Sequence, residues 1–134
     1  MFELNPKLAQ DSTYVCTLPL SEVRLSNNAS FPWLILIPKK NNLVELIDLT
    51  EADQLQLLSE INKASYILKK MFKAKKLNIA TLGNIVEQLH VHVIARFEED
   101  LAWPNPVWNS GIASEYSPED KQERVDLLAQ AFGK

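Results

Sequence analysis

The chain has 134 residues, 46% of them hydrophobic and 23% charged, with a formal net charge of −3. That length makes residues 1–134 a single domain, large enough to bury a core without covalent staples. The acidic balance argues against a broad nucleic-acid or anionic-membrane surface, because such binding rests on clustered Lys and Arg.

The opening Met1-Phe-Glu-Leu-Asn-Pro-Lys7 lacks the apolar stretch of a secretory signal. Asn5-Pro6 instead combines a cap with proline at the first helical position, which predicts a short helix to about Asp11. Residues 13–18 and 22–26 read as two short strands, with Pro19 and Asn27-Asn28 as punctuation. The lone Cys16 lies in the first of these; it excludes an intramolecular disulfide and reads as a small buried hydrophobe. Trp33-Leu-Ile-Leu-Ile37, ended by Pro38, is a continuous apolar run of the kind found in the centre of a sheet.

Thr50 is placed to cap a helix, with Asp53 at the acid position of a capping box. Leu57, Leu58, Ile61, Ala64, Leu68, Met71 and Phe72 then recur at three and four residues, predicting a long helix to about Lys75 with one core-facing stripe. Lys69, Lys70, Lys73, Lys75 and Lys76 suit the solvated, negative end of its dipole. Residues 77–82 and 86–97 read as two more strands around a turn at Gly83-Asn84. Residues 98–116 are irregular, and Ser117-Pro-Glu-Asp120 opens a last helix through Val125, Leu128 and Phe132 to Gly133. The order predicts an α+β domain: an antiparallel sheet of about five strands, one long helix packed on it, and a C-terminal helix. No segment approaches the ~18 apolar residues of a membrane span, and a cytoplasmic enzyme or binding module fits.

Both histidines fall in His90-Val91-His92, within the run from Gln88 to Arg96. Alternate side chains of a strand share a face, so Gln88, His90 and His92 line up on one side while Leu89, Val91 and Val93 enter the core. Two imidazoles about 7 Å apart can act on one small ligand. A neutral imidazole is a nucleophile near pH 7, and its neighbour could donate to a non-bridging phosphate oxygen. Gly83-Asn84, just upstream, could offer backbone N–H groups to a phosphate. Arg96 shares the histidines' parity and reads equally as a leaving-group neutraliser or a surface salt bridge. Glu87, Glu98 or Asp100 could join the two imidazoles in a two-His-one-carboxylate metal site, although Glu87 has the wrong parity and Glu98 lies six residues on.

The run from Gly83 to Arg96, Gly-Asn-Ile-Val-Glu-Gln-Leu-His-Val-His-Val-Ile-Ala-Arg, resembles the signature of the histidine triad superfamily of nucleotide hydrolases and transferases. Phe31-Pro-Trp-Leu-Ile-Leu-Ile-Pro-Lys-Lys40 resembles the strand and turn ahead of that family's long helix, and Trp103-Pro-Asn-Pro-Val-Trp108 a segment of a bacterial branch. The resemblance implies that His90 is the nucleophile that attacks an α-phosphorus and that His92 contacts the same phosphate. It implies dinucleoside polyphosphate or nucleoside phosphoramidate substrates, an adenine nucleotide foremost, with no cofactor or metal required. A homodimer built by pairing two sheets edge to edge is implied as well.

The chain departs from the family at the first triad position, where Gln88 stands; the bacterial branch shares this glutamine, which is assigned an orienting role. Asn84 and Ile85 follow the glycine where the family has Gln and then Ser or Thr, and Ile85 has no donor to offer a phosphate. Asn78 falls near a family asparagine that contacts phosphate, and Asn27 or Asn28, with Asn28 preferred, near the ribose ligand. The implied site is therefore His90, His92 and Gln88 at the reacting centre, with Asn78, Gly83, Asn84 and Asn28 binding substrate. A nucleotide-binding module without turnover is the alternative from a different class.

Overall fold

The structure, a computed structural model, describes residues 1–134. Helix α1 (Pro6–Asp11) leads into strands β1 (Ser12–Thr17), β2 (Ser21–Ser26) and β3 (Trp33–Pro38). Helix α2 (Glu51–Phe72) follows, then β4 (Lys76–Ala80), β5 (Val91–Arg96) and helix α3 (Pro118–Ala131). The five strands form one antiparallel sheet in the order β1-β2-β3-β5-β4. This is the α+β architecture that the element order predicts. No helix is long and apolar enough to cross a membrane.

The continuous apolar run of β3 belongs where it is found, in the middle of the sheet with both faces covered. Leu34 and Leu36 join Val93 and Ala95 of β5 beneath Ala64 and Leu68 of α2. Ile35 and Ile37 face the other way, where Leu8 packs on them with Phe2 and Leu4 of the N-terminal segment. Cys16 is buried in the main core, and desolvation there pushes its thiol up, which suits an inert hydrophobe. The five lysines around the end of α2 are all exposed.

Four features differ from the sequence reading, each for an identifiable reason. Helix α2 stops at Phe72 because Lys73 turns left-handed, with φ of 55°. Thr50 caps the amide of Asp53, but the Asp53 side chain pairs with Lys40 and closes no box. The core stripe of α2 runs through Leu57, Glu60, Ala64 and Leu68, so Leu58 is 53% exposed while a carboxylate is buried. Glu60 earns its place by accepting from the amides of Leu20 and Ser21 at 2.8 and 2.9 Å, capping the turn between β1 and β2. Finally, β5 begins at Val91 and not at residue 86, because residues 81–90 form a loop along one side of a cleft.

Candidate active site

Register brings the histidines to their neighbours. Ile35 of β3 lies opposite His92, and Trp33 opposite Ile94, so Trp33 and His92 share the face of the sheet that α2 does not cover. Residues 98–116 fold over that face as an irregular strap. Phe31, Ile94, Ala102 and Val107 form its small core, with Trp33 and Trp108 packed against it. Between this strap, α1 and the loop after β4 lies a cleft of about 630 Å³ whose walls include His90, His92, Trp33 and Trp108.

His90 and His92 are 6% and 7% exposed, and their ring centroids stand 4.9 Å apart at 78°. The rings thus converge more closely than the rise of two residues along a strand. Each ring is held at Nδ1 by a partner that settles its tautomer. His90 Nδ1 lies 2.6 Å from the backbone oxygen of Gln88, which can only accept, so that nitrogen carries the proton and Nε2 keeps its lone pair. The Trp33 indole can only donate, and does so to His92 Nδ1 at 2.9 Å, so the His92 proton sits on Nε2. No protein group engages either Nε2, and the only buried polar side-chain atom without a partner is Ser21 Oγ, so both Nε2 atoms open to the cleft.

Trp33 and Trp108 flank His92 edge-on, at centroid distances of 5.5 and 5.1 Å. Burial, and then the neighbouring His90, push the His92 pKa down from 6.5 to about 4, so the ring is neutral at pH 7. The combination is a nucleophilic lone pair on His90 beside a fixed, uncharged N–H donor on His92. Such a pair can attack an electrophilic centre while stabilising the oxyanion that forms next to it.

The indole bond to the neutral ring gives a direct expectation. Wild-type His92 shows a single Nε2–H tautomer by ¹⁵N NMR of the imidazole between pH 5 and 8. Trp33→Phe removes the donor, so the ring samples both tautomers. The sign for stability follows. The unfolded chain takes up this proton near 6.5 and the native one only near 4, so native wild-type stability falls as pH drops through that window. A wild-type ring protonated at Nδ1 would overturn the assignment.

The structure brings only part of the expected substrate set into the cleft. Gly83, with φ of 75°, and Asn84 line it, as does Ile85, which is 85% exposed at its mouth. Asn28 lines it too, but its Oδ1 accepts from the amides of Ser30 and Ser114 and its Nδ2 donates to Ile112 oxygen, leaving one N–H for a ligand. The neighbouring Asn27 is engaged by Thr13 and by Gln10 oxygen. Asn78, expected at the phosphate, is not in the cleft; its Oδ1 accepts from Arg96 Nη1 at 2.8 Å.

Arg96 keeps the histidines' parity yet is sealed beneath the strap, with its side chain 2% exposed. It grips Asp100 with two bonds, donates to Asn105 oxygen, and lies over the rings of Phe31 and Trp103. It is a clamp on the strap and no neutraliser of a leaving group. Gln88 shares the parity as well, but its carboxamide turns to the N-terminal segment. The carboxylates that a two-His-one-carboxylate centre needs are elsewhere: Asp100 is held by Arg96, Glu98 pairs with Lys75, and Glu87 is exposed.

Trp33 and Lys7 are among the cleft residues that escaped the sequence reading. Even a half-buried tryptophan favours a partner for its N–H, which was the available signal for Trp33, but only the register of β3 on β5 names the partner. Lys7 depends on α1 docking beside the sheet, which no local pattern announces.

The HIT domain family model matches residues 7–99. A histidine triad protein from Bradyrhizobium japonicum is 42% identical, with 97% of each chain covered and a TM-score of 0.94. Another, from Marinobacter aquaeolei VT8, is 34% identical with a TM-score of 0.95, covering 99% of this chain and 97% of its own. A Plasmodium falciparum diadenosine triphosphate hydrolase shares 20% identity and a TM-score of 0.64, over 99% of this chain and 81% of that one, a likeness of fold alone. No curated protein matches the chain.

Proposed function

Because the chain belongs to the HIT domain family, we propose that it hydrolyses or transfers nucleotides through a covalent nucleotidyl intermediate on His90. The substrate is a nucleoside phosphoramidate or a dinucleoside polyphosphate, with adenine as the base. One observation carries this reading: the bond from His90 Nδ1 to Gln88 oxygen leaves Nε2 as a free lone pair in the cleft, beside His92.

His90 Nε2 attacks the α-phosphorus, the bond from phosphorus to the leaving group breaks, and the leaving group departs with the electron pair and takes a proton from solvent. The phosphorylated ring is then cationic, and Gln88 oxygen accepts from its Nδ1–H throughout. His92 Nε2–H donates to a non-bridging oxygen as charge builds there. Gly83 and Asn84, which line the cleft, offer backbone amides to the phosphate. Water then attacks phosphorus and releases a proton to solvent, the P–N bond breaks with its electron pair returning to Nε2, and neutral His90 is restored.

The test is incubation with adenosine 5′-phosphoramidate, an alkaline quench that preserves a P–N bond, and mass spectrometry of the His90 peptide together with assay of released nucleotide. Both an adduct on His90 and release are expected. Binding of AMP with neither adduct nor release would instead establish a silent binding module, the reading favoured by the apolar Ile85 at the mouth of the cleft.

The same reading makes the protein a homodimer. Strand β4 is an outer strand of the sheet and carries Ile79, 50% exposed, beside an unpaired ladder edge that offers itself to a second copy. Light scattering at micromolar concentration is expected to give twice 15.2 kDa, and Ile79→Lys to shift it to the single-chain mass. A wild-type mass of one chain would reject the assembly.

A further inference from the structure

We infer that Gln88 is a positioning residue: its carboxamide seats the N-terminal segment, and through it the α1 wall of the cleft, and takes no part in the chemistry at phosphorus. The inference rests on the proposed function for its kinetic consequence, and on the structure alone for its mechanical one.

Two observations separate the backbone of residue 88 from its side chain. The contribution of this residue to His90 is its carbonyl oxygen, 2.6 Å from Nδ1, which every amino acid supplies. The side chain is therefore free for other work, and the structure shows what it does. Its Oε1 accepts from the Asn5 amide at 2.8 Å and its Nε2 donates to Glu3 oxygen at 2.9 Å. It holds the backbone of two alternate residues as the peptide group of a neighbouring parallel strand would. An imidazole cannot replace it in this role. The donor and acceptor of a neutral ring diverge from separate corners, and a protonated ring has no acceptor at all. A glutamine at the first triad position is thus matched to the segment it grips.

That segment is built to transmit the grip. Asn41 Oδ1 accepts from the Glu3 amide at 3.0 Å and its Nδ2 donates to Met1 oxygen, while Phe2 and Leu4 pack on the Ile35 and Ile37 cluster. Asn5 is the joint. Gln88 holds its backbone N–H, and its own side chain caps α1 by accepting from the Lys7 amide at 2.8 Å. Helix α1 in turn places Lys7, Leu8, Gln10 and Asp11 along the cleft. Losing the carboxamide of Gln88 therefore loosens a wall of the binding site while His90 and His92 keep their own anchors, Gln88 oxygen and the Trp33 indole.

Gln88→Ala tests this in the full-length protein by two readouts. Hydrogen exchange of the amides at residues 3–8 should accelerate at least about tenfold. KM for adenosine 5′-phosphoramidate should rise about tenfold, as expected for two lost hydrogen bonds, with kcat within about threefold. Asn41→Ala, which removes the other anchor of the same segment without touching the cleft, should reproduce both effects more weakly. Gln88→His should not restore either, since the imidazole cannot bridge Asn5 and Glu3. Unchanged exchange at residues 3–8 in Gln88→Ala would overturn the inference whether or not the protein turns over, which keeps its failure distinct from that of the proposed function. A hundredfold fall in kcat at constant KM would overturn it as well, by returning the side chain to the reacting centre.

Discussion

Replacing His90 with alanine should lower kcat for adenosine 5′-phosphoramidate by about 10⁴ to 10⁶-fold, the scale on which loss of a covalent nucleophile is felt. In barrier terms the lower figure is about 5.5 kcal/mol. The size follows from the absence of any substitute. The chain has only two histidines, and His92 cannot take over because its Nδ1 is bonded to Trp33 and its Nε2 bears the proton. The fold should survive the change, because His90 lies ahead of β5 and its ring bonds only to the Gln88 backbone. AMP affinity measured by calorimetry should accordingly stay within about threefold of wild type, since the other cleft walls are intact. His92→Ala belongs to a smaller class, about 10² to 10³-fold, the usual cost of deleting one oxyanion donor. Substantial turnover by His90→Ala, within tenfold of wild type, would mean that water attacks phosphorus directly and that no nucleotidyl-histidine forms.

Replacing Arg96 with leucine should destabilise the domain by about 3–5 kcal/mol, because it strands a buried carboxylate and not merely because it removes an ion pair. Both side chains of the pair are almost fully buried, at 2% and 7% exposure. Arg96 also satisfies Asn78 and Asn105 oxygen, so the substitution leaves several acceptors without donors. In urea unfolding this should appear as a lower midpoint, and in thermal unfolding as a fall of roughly 10–18 °C for a domain of this size. Asp100→Leu added to Arg96→Leu should recover part of the loss, giving a non-additive cycle. The state of Asp100 supports the picture. Burial alone would raise its carboxyl, but the Arg96 hydrogen bond, the Phe97 amide, the Arg96 charge and the Ala102 amide outweigh that and bring it down to about 2. Its stabilising contribution is complete above its usual 3.8 and is lost as pH falls through 2. A loss below about 1 kcal/mol for Arg96→Leu would show that the network is wet and the clamp unimportant. Activity should fall together with stability, because the strap held by Arg96 carries Trp108 onto His92.

The element types and their order were legible because they are set locally. The alternation around Val91, Val93 and Ala95, the continuous run of β3 and the three-four stripe of α2 each state which face must leave water. His90 and His92 come together as that alternation predicts and Leu89 is buried, although Leu89 and His90 lie just ahead of β5 and the loop places them. Where local rules compete with packing, packing wins. Glu60 replaces Leu58 in the core because two backbone amides of a distant turn require an acceptor there.

What the sequence determined by itself is the α+β framework and a pair of imidazoles facing one way, since strand periodicity and helix capping are properties of neighbouring residues. What only the tertiary structure decided is the assignment of partners. It gave His92 to the indole of Trp33, Asn78 to Arg96, and the carboxamide of Gln88 to the backbone of Glu3 and Asn5. Those choices depend on strand register and on where the N-terminal segment and the strap come to rest. A polar side chain is directed by whichever unsatisfied group lies within 3 Å of it once the chain has folded, and no pattern of neighbours along the chain encodes that.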